Sequence, residues 1–578
     1  MYKRTESKQL DVFKDMTNQL SSRKSKILND KNGWHKIFYK EVYCRIDEDI
    51  FKSLYSDQLG RPNASIKVMM CMMILKEGNG WTDEQLYDNC RFNIRTMAAL
   101  GLSHLKEDIP TEATFYEFRS KLCVYQSQTG RDLLKECFQL LTSGQMETYK
   151  VCGSQIRLDS KLINSNIKVC GRLELILKTV SKFIKPLEFS KTQKGMKRHF
   201  YSKLELLQKV KTHKICYSLT KEEKEEWLKS MGYVISFLLK NYKQAADYDL
   251  LKKVYSQQYE IKKSKDKVES KTDEKGGNPG SSNEQTIEPQ DKKQIKSDSI
   301  QSPYDVDCSY RKKGNGRSAQ QVNGYHANIT ETCSSENNLN LLTDYIVKSA
   351  EVSEAAFLLP SIKSTQQVID KKKGKRNKSK KEKILEAITD GGYDSVDNVL
   401  KMSEDSQPNW SLVKFKGKPS KISFQLKRNK KLPIAKSVET GQNLPITEII
   451  KGNKYRVKIE DKSRYYTIDE IEHQIRKQNL AKKITLESRQ LRPNVESTIH
   501  QIFHKLGKRD KVKYRGIQKC NLYVGSRAIF TNFKRIVQSL SEKVQEKIEN
   551  WIGDSVKNRQ LFSKRFSLSL IILVVDQK

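Results

Sequence analysis

The stretch Ile384-Leu385-Glu386-Ala387-Ile388-Thr389-Asp390-Gly391-Gly392-Tyr393-Asp394-Ser395 decides how the rest of the chain is read. A short apolar run closes on an aspartate and is followed at once by a Gly-Gly-Tyr turn. Buried strands that deliver an acid to the edge of a sheet have this form. A second stretch, Gln155-Ile156-Arg157-Leu158-Asp159, alternates apolar and polar residues and also ends on an acid. A third acid, Glu496, stands in a helical pattern that starts at Asn494 and runs to Leu506.

Outward from these acids, the chain has the charge of a polyanion binder. Lys and Arg number 108 against 69 Asp and Glu in 578 residues, a formal charge of +39. Such a field holds nucleic acid, with a solvated basic surface as the plain alternative. The only long apolar run, Phe566 to Val575, falls short of the roughly 20 residues that span a bilayer. No membrane partner is expected. Eleven cysteines form no CxxC pair and fit reduced thiols better than a disulfide framework. The first residues lack the apolar stretch of a signal peptide, so a cytoplasmic, nucleoid-associated place in a bacterial cell is expected.

Composition shifts divide the chain. An N-terminal tail (1–33) precedes a helical domain (34–145), in which Ile66 to Leu75 reads as a helix buried on most sides, and Thr82 and Thr114 open capping-box patterns. Short helices joined by tight turns suit a DNA-binding bundle or a dimerisation unit. Residues 171–258 return to helical periodicity as a helical insertion, and 259–301 read as a disordered linker poor in apolar residues. Val322 to Thr332 is strand-like, and Leu339 to Ala350 carries helical signals. The Lys-rich run 371–381 is a solvated tract or a phosphate-contacting loop. Residues 401–484 alternate in short runs and read as a β-rich insertion, and 546–578 form a C-terminal tail. What remains (150–170, 302–400 and 485–545) would be the α/β core that carries the acids.

Phosphoryl transfer between nucleic-acid strands uses two divalent ions about 4 Å apart, and hard ions take oxygen ligands. A ribonuclease-H-like mixed sheet supplies them from two strand-borne aspartates and a helix-borne acid. Asp159, Asp390 and Glu496 each stand on the element type that this requires. Glu496, His500 and His504 also share one helical stripe, which either holds a transition metal or faces DNA or core. Trp410 stacks on an extruded base or fills the core.

The ordered motifs resemble the DDE transposases of bacterial insertion sequences, in particular the group with a helical N-terminal domain and a β-rich insertion before the last acid. The resemblance spans roughly Phe38 to Leu540. It rests on Gly60-Arg61-Pro62, Leu100-Gly101-Leu102, Leu158-Asp159-Ser160, Asn164-Ser165-Asn166, Gly324-Tyr325-His326-Ala327, Thr389-Asp390-Gly391-Gly392-Tyr393, Arg492 with Glu496, and Tyr514-Arg515-Gly516. The tyrosine expected three residues before the arginine is Arg489, and the lysine expected seven after the glutamate is Phe503. The lysine's role is carried to Lys505. The resemblance implies two Mg²⁺ or Mn²⁺ ions on Asp159, Asp390 and Glu496, and DNA contacts from Arg492, Lys505, Arg515, Tyr393 and Trp410. It further implies a homodimer on double-stranded DNA with terminal inverted repeats, cutting ends and joining them to target DNA. A repressor without catalysis and a structure-specific nuclease of the same fold are the alternatives.

Overall fold

A computed structural model describes residues 1–5, 20–56, 60–187, 198–263, 285–314, 316, 319–372, 382–412, 420–426, 433–449, 454–459 and 462–558. The architecture is mixed α/β, built on one curled sheet. Its strands are β1 (Gln155–Asn164), β2 (Ser309–Lys313), β3 (Gln320–Thr332), β4 (Leu342–Ser349), β5 (Glu386–Thr389) and β6 (Asn409–Leu412). The order is β2-β3-β1-β5-β6, with β4 also paired to β3. β3 runs antiparallel to β1, and β5 and β6 run parallel to it. The crossovers β4 to β5 and β5 to β6 carry helices α3 (Leu358–Lys372) and α4 (Val396–Met402), as parallel strands require.

The N-terminal helices are not a separate body. Helix α1 (Ile66–Asn79) is buried from Ile66 to Gly78 except for Lys67, as its apolar run predicts. The closing helix α6 (Ile517–Asn558) packs on α1, on α2 (Leu133–Thr148) and on β4, so helices and sheet share one hydrophobic core. A Cβ on Gly78 would stand 2.1 Å from Phe530 Cγ, which shows how closely α1 and α6 approach. The capping box at Thr82 forms as read. The next long helix starts earlier than its pattern suggests, because Thr111 is the cap and its hydroxyl accepts the Thr114 N–H.

Several expectations need correction. Leu342–Ser349 is a strand, since pairing with β3 overrides a helical periodicity over so few residues. The linker is partly built: Tyr259–Lys263 pairs with Gln285–Pro289, and Ile287 and Ile300 complete the core of the helical insertion. Averaging composition over the window hid those isolated anchors, while 264–284 lie outside the described residues. The β-rich insertion begins after β6, not at 401, because α4 and β6 belong to the main sheet. Its strands from Ile422 onward keep their own small core. The N-terminal tail is in part attached, with the Met1 amino group donating to Arg61 O at 3.0 Å and Leu28 O bonded to His35. Helix α6 continues to Asn558, past the expected start of the tail, and the apolar run 566–575 lies outside the described residues, as does most of the basic loop. No helix among the described residues is long and apolar enough to cross a membrane.

One buried ion cluster fixes the sheet against its covering helices. Glu331 on β3 is fully buried, and Arg157 opposite it on β1 reaches it at 2.6 Å. Arg535 of α6 reaches it at 2.7 Å, and Thr498 of α5 (Asn494–Phe503) donates to it at 2.7 Å. Burial pushes the Glu331 carboxyl up, but Arg535 and Arg157 outweigh it and hold the group below its ordinary range. Glu331→Gln keeps the shape and strands two arginines, which should cost about 3–5 kcal/mol. Thermal unfolding of the two proteins checks this; an unchanged midpoint would refute the role.

Candidate active site

The parallel register that sets Arg157 beside Ile388 carries on to bring Asp159 level with Asp390, just past the end of β5; β1 does not stop at Asp159 as its sequence suggests, because its pairing with β3 carries it on to Asn164. Each aspartate is held by local backbone. Asp159 Oδ1 accepts the Ser160 N–H at 2.8 Å, and Asp390 caps the turn Gly391–Tyr393 by accepting the Gly392 N–H at 2.9 Å. Glu496 occupies the first turn of α5, where a carboxylate suits the helix dipole.

All three acids meet on one side chain. The Arg492 guanidinium lies 3.5 Å from Asp159 Oδ2 and 3.7 Å from Asp390 Oδ2 through Nη2, and 2.5 Å from Glu496 Oε1 through Nη1. Arg492 sits on the turn before α5, whose position is set from below: Arg157 donates to Leu491 O at 2.8 Å. Burial is the largest influence on Asp159 and raises its carboxyl to about 6. The Ser160 N–H and Arg492 act against this, and Asp390 and Glu354 add to it.

Glu354, which nothing in the sequence singled out, is the fourth acid here. It is buried, salt-bridged to Lys313 at 3.0 Å, and so close to Gly392 that a Cβ there would overlap its carboxylate. Beside it, His326 Nδ1 lies 2.8 Å from Val352 O and Nε2 lies 2.9 Å from Ser160 Oγ. That geometry assigns the proton to Nδ1 and lets Nε2 accept from the serine next to Asp159. His326 belongs to a motif quoted above, but its function as a bridge to Ser160 had no separate signal.

Among the described residues, no three acid, histidine or cysteine side chains are grouped as a metal site; the guanidinium occupies the middle. The donor set nonetheless fits a hard divalent cation, being carboxylate oxygens from the middle of one strand, the end of another and a helix. Arg492 Nε is buried without a hydrogen-bond partner. Charge, more than a full set of hydrogen bonds, holds this arginine among the acids, and its withdrawal would open the three carboxylates to another cation.

Other expected contacts fall elsewhere. Trp410 is fully buried on β6 and donates to Thr389 Oγ1 at 2.8 Å, so it is a core tryptophan and not a base-stacking one. Tyr393 is likewise buried, its hydroxyl donating to Asn328 Oδ1, and offers no surface to DNA. Both sit on apolar-rich elements, and the sheet needed their volume. Arg515 is exposed and bonded to Asn166 O at 2.8 Å. Lys505 is exposed two turns beyond Glu496, beside His500 and His504 and not among the acids.

Burial lowers His326 from 6.5 to about 4, a loss of charge that Arg311 reinforces and the Val352 carbonyl and Glu354 partly offset. A base whose folded pKa is depressed contributes stability above its unfolded value and loses it as pH falls through the folded value. The window is therefore about 6.5 down to 4, worth at most roughly 3 kcal/mol. His326→Gln should flatten that acid limb in thermal unfolding at pH 7, 5 and 4; parallel curves for the two proteins would exclude it.

Comparison with known proteins adds one match. Residues 28–121 match the family described as a transposase domain (DUF772). No curated protein and no solved structure matches the chain. The N-terminal helices that share a core with the acid-bearing sheet are thus similar to a transposase domain, which supports placing the chain with transposases.

Proposed function

We propose that the chain is a DDE-type transposase with a ribonuclease-H-like catalytic sheet, cutting and joining DNA at the ends of an insertion sequence. One observation carries the reading: Asp159, Asp390 and Glu496, far apart in sequence, converge on Arg492 at one end of a mixed sheet. The strand order, with one antiparallel neighbour of β1 and two parallel strands on the other side, accords with the proposed fold. The transposase-domain match and the net charge of +39 favour the same substrate.

On this reading Asp159, Asp390 and Glu496 would hold two Mg²⁺ or Mn²⁺ ions. Such ions activate the attacking oxygen and stabilise the leaving oxygen of a phosphodiester. The protein's own part is to hold its acids rigidly on backbone hydrogen bonds and to move Arg492. Displaced from the carboxylates, the planar guanidinium is in reach of a backbone phosphate, where its fork can bind two oxygens. Water opens the first strand, and the 3′-hydroxyl left behind attacks the opposite strand or target DNA. Two copies of the chain would hold the two ends.

The test uses purified full-length protein, Mg²⁺ and a labelled duplex bearing the inverted repeat that flanks the gene. Nicking followed by a joined product is expected. Asp159→Asn, Asp390→Asn and Glu496→Gln should each reduce cutting by at least about 10³-fold while binding persists. Mg²⁺ should also raise the thermal midpoint of the wild type and not of Asp390→Asn. Binding alone would make the chain a repressor, nicking alone a nuclease, and unchanged cutting in any variant would remove that acid from the centre.

A further inference from the structure

The catalytic reading leaves a large cavity unused. It encloses about 820 Å³ where the N-terminal helices meet α5 and α6. Its size falls within the range of about 300–1,000 Å³ typical of small-ligand sites, which suits a nucleotide or two and not a base-paired duplex. Two half-exposed indoles, Trp34 and Trp81, stand in its wall, and the cations Lys505 and Lys534 stand in it as well. Asparagine and glutamine amides share the lining with apolar Leu75, Phe530, Phe533 and Val537, and among the described residues no Asp or Glu takes part in it.

Two details give the cavity a direction and a charge. Glu496 and His500 on α5 and His504 at its C-cap follow one another at intervals of four, so the helix face that presents the third acid continues into the cavity. The two imidazoles lie 5.8 Å apart. Beneath them Arg527 is 2% exposed, and its guanidinium donates to Glu77 O at 2.6 Å and to Gln501 O at 2.9 Å. It also donates to Ile502 O, and His504 Nδ1 lies 3.3 Å away, but none of these partners is a carboxylate. The Glu77 carboxylate and the Tyr523 ring also act on its charge, so the positive wall that an entering anion meets comes from the exposed Lys505 and Lys534.

From this we infer that the cavity is a binding site for unpaired DNA, holding nucleotides of the strand whose phosphate lies at the acids. The bases stack on Trp34 and Trp81, the amides meet their edges, and the phosphates lie against Lys505 and Lys534. The inference rests on the acids being a DNA-cutting centre, yet binding can be read without cutting. Full-length protein in Ca²⁺ is titrated into two fluorescein-labelled DNAs, a blunt duplex and the same duplex with a ten-nucleotide 3′ extension carrying 2-aminopurine.

The wild type should prefer the extended DNA and change the 2-aminopurine emission. Trp81→Ala should cut that preference about tenfold, as expected for the loss of one stacked base. Lys534→Glu alters an exposed side chain and serves as the second variant if Trp81→Ala does not fold. Blunt-duplex binding should be retained in Trp81→Ala. Equal wild-type affinity for the two DNAs, or full preference in both variants, overturns the site. If the preference appears but Mg²⁺ supports no cutting, the catalytic reading fails and this one stands; cutting without preference gives the reverse.

Discussion

A single buried carboxylate, Glu331, governs the geometry of this protein. It is shared between Arg157 on β1 and Arg535 on α6, and it takes a hydrogen bond from Thr498 on α5. An unpaired ion at that depth is costly, so strand and helices are confined to the one arrangement in which all partners reach it. Asp159 lies two residues along β1 from Arg157, and Glu496 two residues along α5 from Thr498. The cluster therefore aligns the two acids without touching either.

Above that cluster the electrostatics reverse. Three carboxylates converge, with a fourth close by on Glu354, and like charges in such proximity repel. The Arg492 guanidinium between them offsets that repulsion. Arg492 is bonded to Glu496 and paired with both aspartates while its Nε stays unpartnered, whereas Arg157 joins Glu331 to Leu491 O and has a structural task.

Much of this was legible in the sequence, for reasons that differ by element. The end of β5 could be read because an apolar run closes there on an aspartate and a glycine turn, whereas β1 runs on past Asp159 to Asn164, an extension set by its pairing with β3. Helix α1 could be read from its uninterrupted apolar character. The strand at Leu342–Ser349 could not, because its identity depends on pairing with β3. The DNA contacts that the resemblance carried to Tyr393 and Trp410 do not fit their burial, and the core alternative held open for Trp410 is the one that forms, because sequence spacing does not tell which face of a sheet is covered. Glu354 lay beyond reach, since only the fold brings it to Gly392.

The order of strands also bears on how the chain is made. β1 is translated early, but its antiparallel partner β3 and its parallel partner β5 come after the whole helical insertion. At about 5–20 residues per second, roughly 10 to 50 s pass between synthesis of Asp159 and of Asp390. For most of that interval, until β3 is complete at Thr332, β1 lacks both neighbours in the sheet, and contacts of such long range are slow to form. The helical insertion, which has its own hydrophobic centre, can fold in the meantime, so the nascent chain is most exposed to aggregation at the strand that carries the first of the converging acids.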